Sequence, residues 1–121
     1  MLLRIDPNSA QPLFDQVAAA VRADVAAGRL RAGDRLPAAR QVAGAAGINL
    51  HTVLRAYQLL RDQGLVDMRR GRGAVVTEAA AAITALQGDI DALRRRARAL
   101  GLSPDTLASL LREGDEGATD D

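Results

Sequence analysis

Two runs with helical periodicity, Ala38 to Ala46 and Leu50 to about Gln63, are separated only by Gly47, Ile48 and Asn49. So short a link turns the second helix sharply against the first and leaves each with one face to bury, the arrangement of a helix-turn-helix. The punctuation agrees: Pro37 opens the first run, Gly47 ends it, Asn49 is a good N-cap for the second and Gly64 stops it. Along the second run Val53, Tyr57 and Leu60 point one way, while His51, Thr52, Arg55 and Gln58 are available to solvent.

The flanks extend this unit. Pro12 stands at a first helical turn, and Leu13, Val17, Val21 and Val25 recur every four residues up to a stop at Gly28, which predicts a helix covering the core. Residues 28–37 hold two glycines and a closing proline and read as a connector. After Gly64, the β-prone runs Leu65–Met68 and Ala74–Thr77 surround Arg69-Arg70-Gly71-Arg72-Gly73, which predicts a hairpin, or wing, with an arginine tip. Residues 2–5 form a candidate short strand.

A tail follows from Ala79. Ile83, Leu86, Ile90, Leu93, Ala97 and Leu100 step by three and four, an a/d seam shorter than a sustained coiled coil. Gly101 ends that helix. Ser103 and Pro104 then open a last one, with Leu107, Leu110 and Leu111 on its apolar face. The expected organisation is a winged helix-turn-helix over residues 1–78, a two-helix dimerisation tail over 79–112, and a disordered acidic end over 113–121. The fold class is therefore mainly α with a small β-wing.

Composition removes other functions. With no Cys there are no disulfides, thiolate metal sites or thiol nucleophiles, and His51 is the sole imidazole. All 16 cations are arginine, so chemistry that needs a lysine amine is excluded, and neither a cofactor nor a metal is expected. No apolar run approaches a membrane span, and the expectation is a soluble cytoplasmic protein without membrane partners. The net charge of +1 hides a basic front, +4 over residues 1–78, and an acidic back, −3 over 79–121. That split suits a polyanion-binding head on a tail that stays off the polyanion. With only Phe14 and Tyr57 aromatic, the core is thin and gains from a partner subunit.

Two short helices and an arginine hairpin make physical sense as a DNA reader, with the N-terminal end of the second helix in the major groove. That end is Asn49, Leu50, His51 and Thr52; His51 and Thr52 can hydrogen-bond base edges, and Leu50 can touch a thymine methyl. Arg40 and Arg55 flank it as phosphate or guanine contacts, and Arg70 and Arg72 can reach phosphates or the minor groove. Each has a plainer alternative. His51 can be a solvated helix start, Arg55 a surface ion-pair partner of Asp62, Arg35 a brace for the connector, and the wing arginines a solvated turn. Tyr57 reads as core rather than a stacking platform. Arg94, Arg95, Arg96 and Arg98 read as a solvated face pairing with Asp89 and Asp91.

Gly33-Asp34-Arg35-Leu36-Pro37, Arg40, Gly47, Thr52-Val53, Arg55-Ala56-Tyr57, Leu60, Gly64-Leu65-Val66 and Gly71-Arg72-Gly73 with Val76 together resemble the GntR family of bacterial winged-helix transcription regulators. The short helical tail resembles the YtrA-type subgroup, in which such a tail dimerises the protein in place of a large effector domain. The resemblance implies a homodimeric repressor on a pseudo-palindromic double-stranded operator, with Arg40, His51 and Thr52 on DNA-contacting positions and Gly73 on the wing-tip glycine. It names no small-molecule effector. This chain departs from the family pattern at Ala38, where serine is common, at Leu50, where Arg or Pro is frequent, and at His51, so the operator sequence cannot be carried over. Two other readings compete: a protein-docking winged helix, which would lose the wing arginines kept here, and an enzyme, for which the chain lacks both length and lysine.

Overall fold

The computed structural model describes residues 3–118. In chain order the elements are α1 (Leu13–Ala26), α2 (Ala39–Ala46), α3 (Leu50–Asp62), β1 (Val66–Arg69), β2 (Gly73–Val76), α4 (Ala79–Ala99) and α5 (Pro104–Ala118). The chain divides into two compact units, residues 1–85 and 86–121, and the division falls within α4 rather than at residue 78.

The first unit is a winged helix-turn-helix. Its core is aliphatic: Val17, Val21 and Val25 of α1 meet Val42 of α2, Val53, Ala56, Tyr57 and Leu60 of α3, and Leu65, Val66, Ala74 and Val76 around the hairpin. The four-residue spacing on α1 puts its valines on one stripe, and each is 0 % exposed. The two strands pair antiparallel, with Val66 opposite Val76 and Arg69 opposite Gly73.

Two buried polar groups are satisfied locally. Gln16 accepts from the Asp6 amide at 2.8 Å and donates to the Asp6 and Gln11 carbonyls, both at 2.9 Å, which holds the N-terminal segment on α1. Asp24, 3 % exposed, is neutralised by Arg29 at 2.8 Å as the chain leaves α1.

The connector differs from its expected form. Residues 33–36 run along β2: the Gly33 amide donates to Val76 O, the Val76 amide to Asp34 O and the Leu36 amide to Ala74 O, each at 2.8 Å, and Arg35 bridges to Val75. Glycine and proline mark this stretch as a loop, but its backbone finds partners on a strand far along the chain, so tertiary pairing overrides local propensity. Residues 3–5 form no strand, and Leu2 lies outside the described residues.

The second unit holds the rest of α4 and α5. The Leu102 amide returns to Ala97 O at 2.8 Å after Gly101, and Ser103 Oγ accepts the Thr106 amide at 3.1 Å, capping α5 where the sequence places the cap. Helix α5 continues to Ala118, past residue 113 where the disordered end is expected. An acidic stretch almost without apolar residues has little surface to bury, but with no proline in it the helical hydrogen-bond ladder can continue. The same expectation for residues 119–121 lies outside the described residues.

Candidate nucleic-acid interface

The turn between α2 and α3 is built from backbone chemistry. Gly47 adopts φ +67°, a left-handed conformation that closes α2 and releases the chain into Ile48 and Asn49. Asn49 Oδ1 then accepts the His51 amide at 2.7 Å and starts α3. Asn49 thus stands at the N-terminal end of α3, and its side-chain oxygen is engaged as the cap. At the start of α2, Ala38 has no side-chain acceptor, and Gln41 Oε1 instead takes the Ala38 amide at 3.3 Å.

Helix α3 divides cleanly around its axis. Val53, Ala56, Tyr57 and Leu60 are buried, while His51, Leu54, Arg55 and Gln58 are exposed. Thr52 is half-buried at the edge. Leu50 is also half-buried and packs against the head core, so its side chain is partly committed inward. Tyr57 is a core residue with one polar contact, in which its hydroxyl donates to the Pro37 carbonyl at 2.6 Å and ties α3 to the turn before α2. Burial pushes its pKa up to about 12, so it remains a donor at neutral pH.

Arg55 does not pair with Asp62, whose Oδ1 accepts instead from Gln58 Nε2 at 3.0 Å. The Arg55 guanidinium lies 3.8 Å from the centroid of the Phe14 ring, a cation–π contact from α3 to α1. Stacking on a ring face consumes none of the five N–H donors, which stay available to an incoming acceptor. The separation of these residues along the chain hid this partner from the sequence.

At the wing, the Arg72 amide donates to Arg69 O at 3.0 Å, and Gly71 between them has φ +79°, so the tip is a tight turn that only glycine makes without strain. Arg70 and Arg72 flank that glycine, exposed, with exposed Gly73 beginning β2. Arg35 reaches the base of the wing through its bridge to Val75 and is also exposed, as is Arg40 on α2. Among the described residues the ion pairs are Arg29–Asp24 and Arg94–Asp91, so no carboxylate neutralises Arg35, Arg40, Arg55, Arg70 or Arg72. The arrangement is a set of uncommitted cationic donors around an exposed helix face, suited to binding phosphates and base edges. Sequence reasoning missed one exposed residue in this region, Leu54 on α3, for which helical spacing from His51 and Arg55 was the available signal; Arg69, the third arginine of the wing, is exposed at the end of β1.

The proposed seam residues are distributed unevenly. Ile83 packs against the head core and Ala97 is buried, whereas Leu86, Ile90, Leu93, Leu100, Leu110 and Leu111 are exposed and Leu107 is half-buried. Among the described residues the Arg94 cluster forms one ion pair, Arg94 with Asp91 at 3.6 Å. Among the described residues no helix is long and apolar enough to cross a membrane.

Residues 13–76 match the family described as "Bacterial regulatory proteins, gntR family". The chain is 37% identical over 101 residues to the HTH-type transcriptional regulator Rv1152 of Mycobacterium tuberculosis, an alignment covering 84% of each. It is 29% identical over 99 residues to the HTH-type transcriptional repressor YtrA of Bacillus subtilis, covering 82% of this chain and 75% of that one. Among solved structures it resembles YtrA from Sulfolobus acidocaldarius, a GntR-family transcription factor, with 30% identity, a TM-score of 0.61, and coverage of 82% of this chain and 99% of that one.

Proposed function

Because the chain belongs to the gntR family of bacterial regulatory proteins, which are DNA-binding transcription regulators and not enzymes, we propose that it is a homodimeric repressor of a pseudo-palindromic operator. The observation that carries this reading is the exposed face of α3 beside arginines that no carboxylate of the described residues neutralises. In this reading α3 enters the major groove by its N-terminal end. His51 and Thr52 contact base edges or phosphates there, with Asn49 and Leu50 forming the first turn at the groove. Arg35, Arg40 and Arg55 meet the backbone on either side, and Arg70, Arg72 and Gly73 carry the wing to phosphates or the minor groove.

Dimerisation is assigned to the tail, where exposed Leu86, Ile90, Leu93, Leu100, Leu110 and Leu111 supply apolar surface that a second copy covers. Two heads related by a two-fold axis then match two half-sites on opposite halves of the operator. Repression accords with the name of the Bacillus subtilis relative. The site of action is the cytoplasm, on the chromosome.

The test is selection of duplexes from a random library by the full chain, followed by fluorescence-anisotropy titration of a selected and a shuffled duplex at several salt concentrations. The expected result is a two-fold-symmetric selected site, bound by one dimer and preferred by about 10³-fold or more. Equal, salt-steep binding to both duplexes would refute sequence specificity. No binding to either at low salt would refute the DNA reading altogether.

A further inference from the structure

We infer that Leu54 reads the operator by packing its side chain on the C5-methyl group of a thymine. The inference rests on α3 entering the major groove as proposed above. Among the described residues of the first unit, the exposed large apolar side chains are Leu54 and Met68, at 43% and 52% exposure. Both lie on the elements assigned to DNA, Leu54 on α3 and Met68 on the wing strand β1.

A single exposed leucine is ordinary on a protein surface. The position of Leu54 is not. At 100° per residue, positions 51, 54, 55 and 58 fall within about 100° around the helix axis. Leu54 therefore shares one arc with His51, Arg55 and Gln58, all exposed. The opposite face is already filled by Val53, Ala56, Tyr57 and Leu60, so folding of the head does not use Leu54.

Leu50, the leucine that sequence alone assigns to a thymine methyl, is half-buried against the core. Leu54 lies one turn further along α3 and is the more exposed of the two. A leucine on this arc has nothing to hydrogen-bond, and the apolar group that base pairs present in the major groove is the thymine methyl. The occupant that fits is therefore an A·T pair with its thymine facing Leu54, flanked by the polar contacts of His51 and Gln58.

The experiment uses the full-length chain and a duplex it selects, with each thymine replaced singly by deoxyuridine, which removes only the methyl group. The wild type is expected to lose about fourfold in affinity at one thymine of each half-site, the factor for burying one methylene-sized group. Leu54→Ala should bind the parent duplex more weakly and be indifferent to that replacement. Leu54→Met, which restores an apolar side chain, should recover the sensitivity. Thermal melts of both variants should match the wild type, since the residue is exposed.

A wild type indifferent to every deoxyuridine replacement overturns the assignment while leaving DNA recognition intact. The same holds if Leu54→Ala keeps the sensitivity, or if it changes the sedimentation of the free protein and not its base preference, which would place Leu54 in a contact between subunits. Failure of the wild type to select any duplex overturns the functional reading and this inference with it.

Discussion

Replacing both Arg70 and Arg72 by Gln tests the wing. Both side chains are exposed and flank the turn at Gly71; the turn itself is held by the backbone bond from the Arg72 amide to Arg69 O, which the substitutions leave in place. Folding stability should therefore change by no more than about 0.5 kcal/mol. Binding should change in a specific way. Each arginine that neutralises a phosphate contributes about 0.9 to the slope of log K against log salt, so two per head lower that slope by roughly 1.8, and two heads by roughly 3.6. Over a fourfold rise in salt the wild type then loses roughly 150-fold more affinity than the variant. Anisotropy titrations on a selected duplex and a shuffled one measure both slopes. The preference for the selected site should be nearly unchanged, because phosphate contacts carry no direct sequence information. An unchanged slope would refute the assignment of these arginines to phosphates. Loss confined to one base pair would move them from the backbone to a groove edge. A fall of roughly 1.8 in place of 3.6 would mean that one head engages at a time.

Three further perturbations test the frame around this site. Leu60→Ala removes a side chain that is 0 % exposed at the centre of the core, and denaturant titration should show a loss of about 2–5 kcal/mol; a loss below about 1 kcal/mol would mean that the core does not depend on α3 as described. Tyr57→Phe deletes the 2.6 Å bond to the Pro37 carbonyl and should cost about 1 kcal/mol at neutral pH. Tyr57 also sets a pH signature: its folded pKa of about 12 lies above the ordinary 10.0, so its contribution is complete below pH 10 and is lost as pH rises towards 12, where the unfolded chain ionises first. A Phe variant whose stability falls as steeply over that window would contradict the assignment. Leu86→Ser combined with Leu93→Ser alters exposed positions only and should leave the helix content intact while shifting sedimentation from dimer to monomer and weakening operator binding; a dimer that survives both changes would place the subunit contact elsewhere.

Local chemistry settles much of this molecule in advance. The stop at Gly47, the Asn49 cap, the valine stripe on α1 and the tight turn at Gly71 each depend on a few neighbouring residues, and the sequence carries all of them. Their order and spacing also specify the winged helix-turn-helix. The identity of each element's partner required the tertiary structure. Periodicity states which face of a helix is apolar but not what that face meets, so Ile83 reads as the first residue of a dimer seam although it packs on the head core. Residues 33–36 read as a loop because their hydrogen-bond partners lie on β2, far along the chain. Arg55 has a plausible acidic partner on its own helix and finds the face of Phe14 on another. Leu50 and Leu54 differ in exposure because, at 100° per residue, Leu50 lies beside the buried arc of α3 that ends at Tyr57 and Leu54 lies further round on the open arc. Backbone conformation follows from neighbours in sequence. Exposure and long-range pairing follow from neighbours in space, and those are established only once the chain has packed.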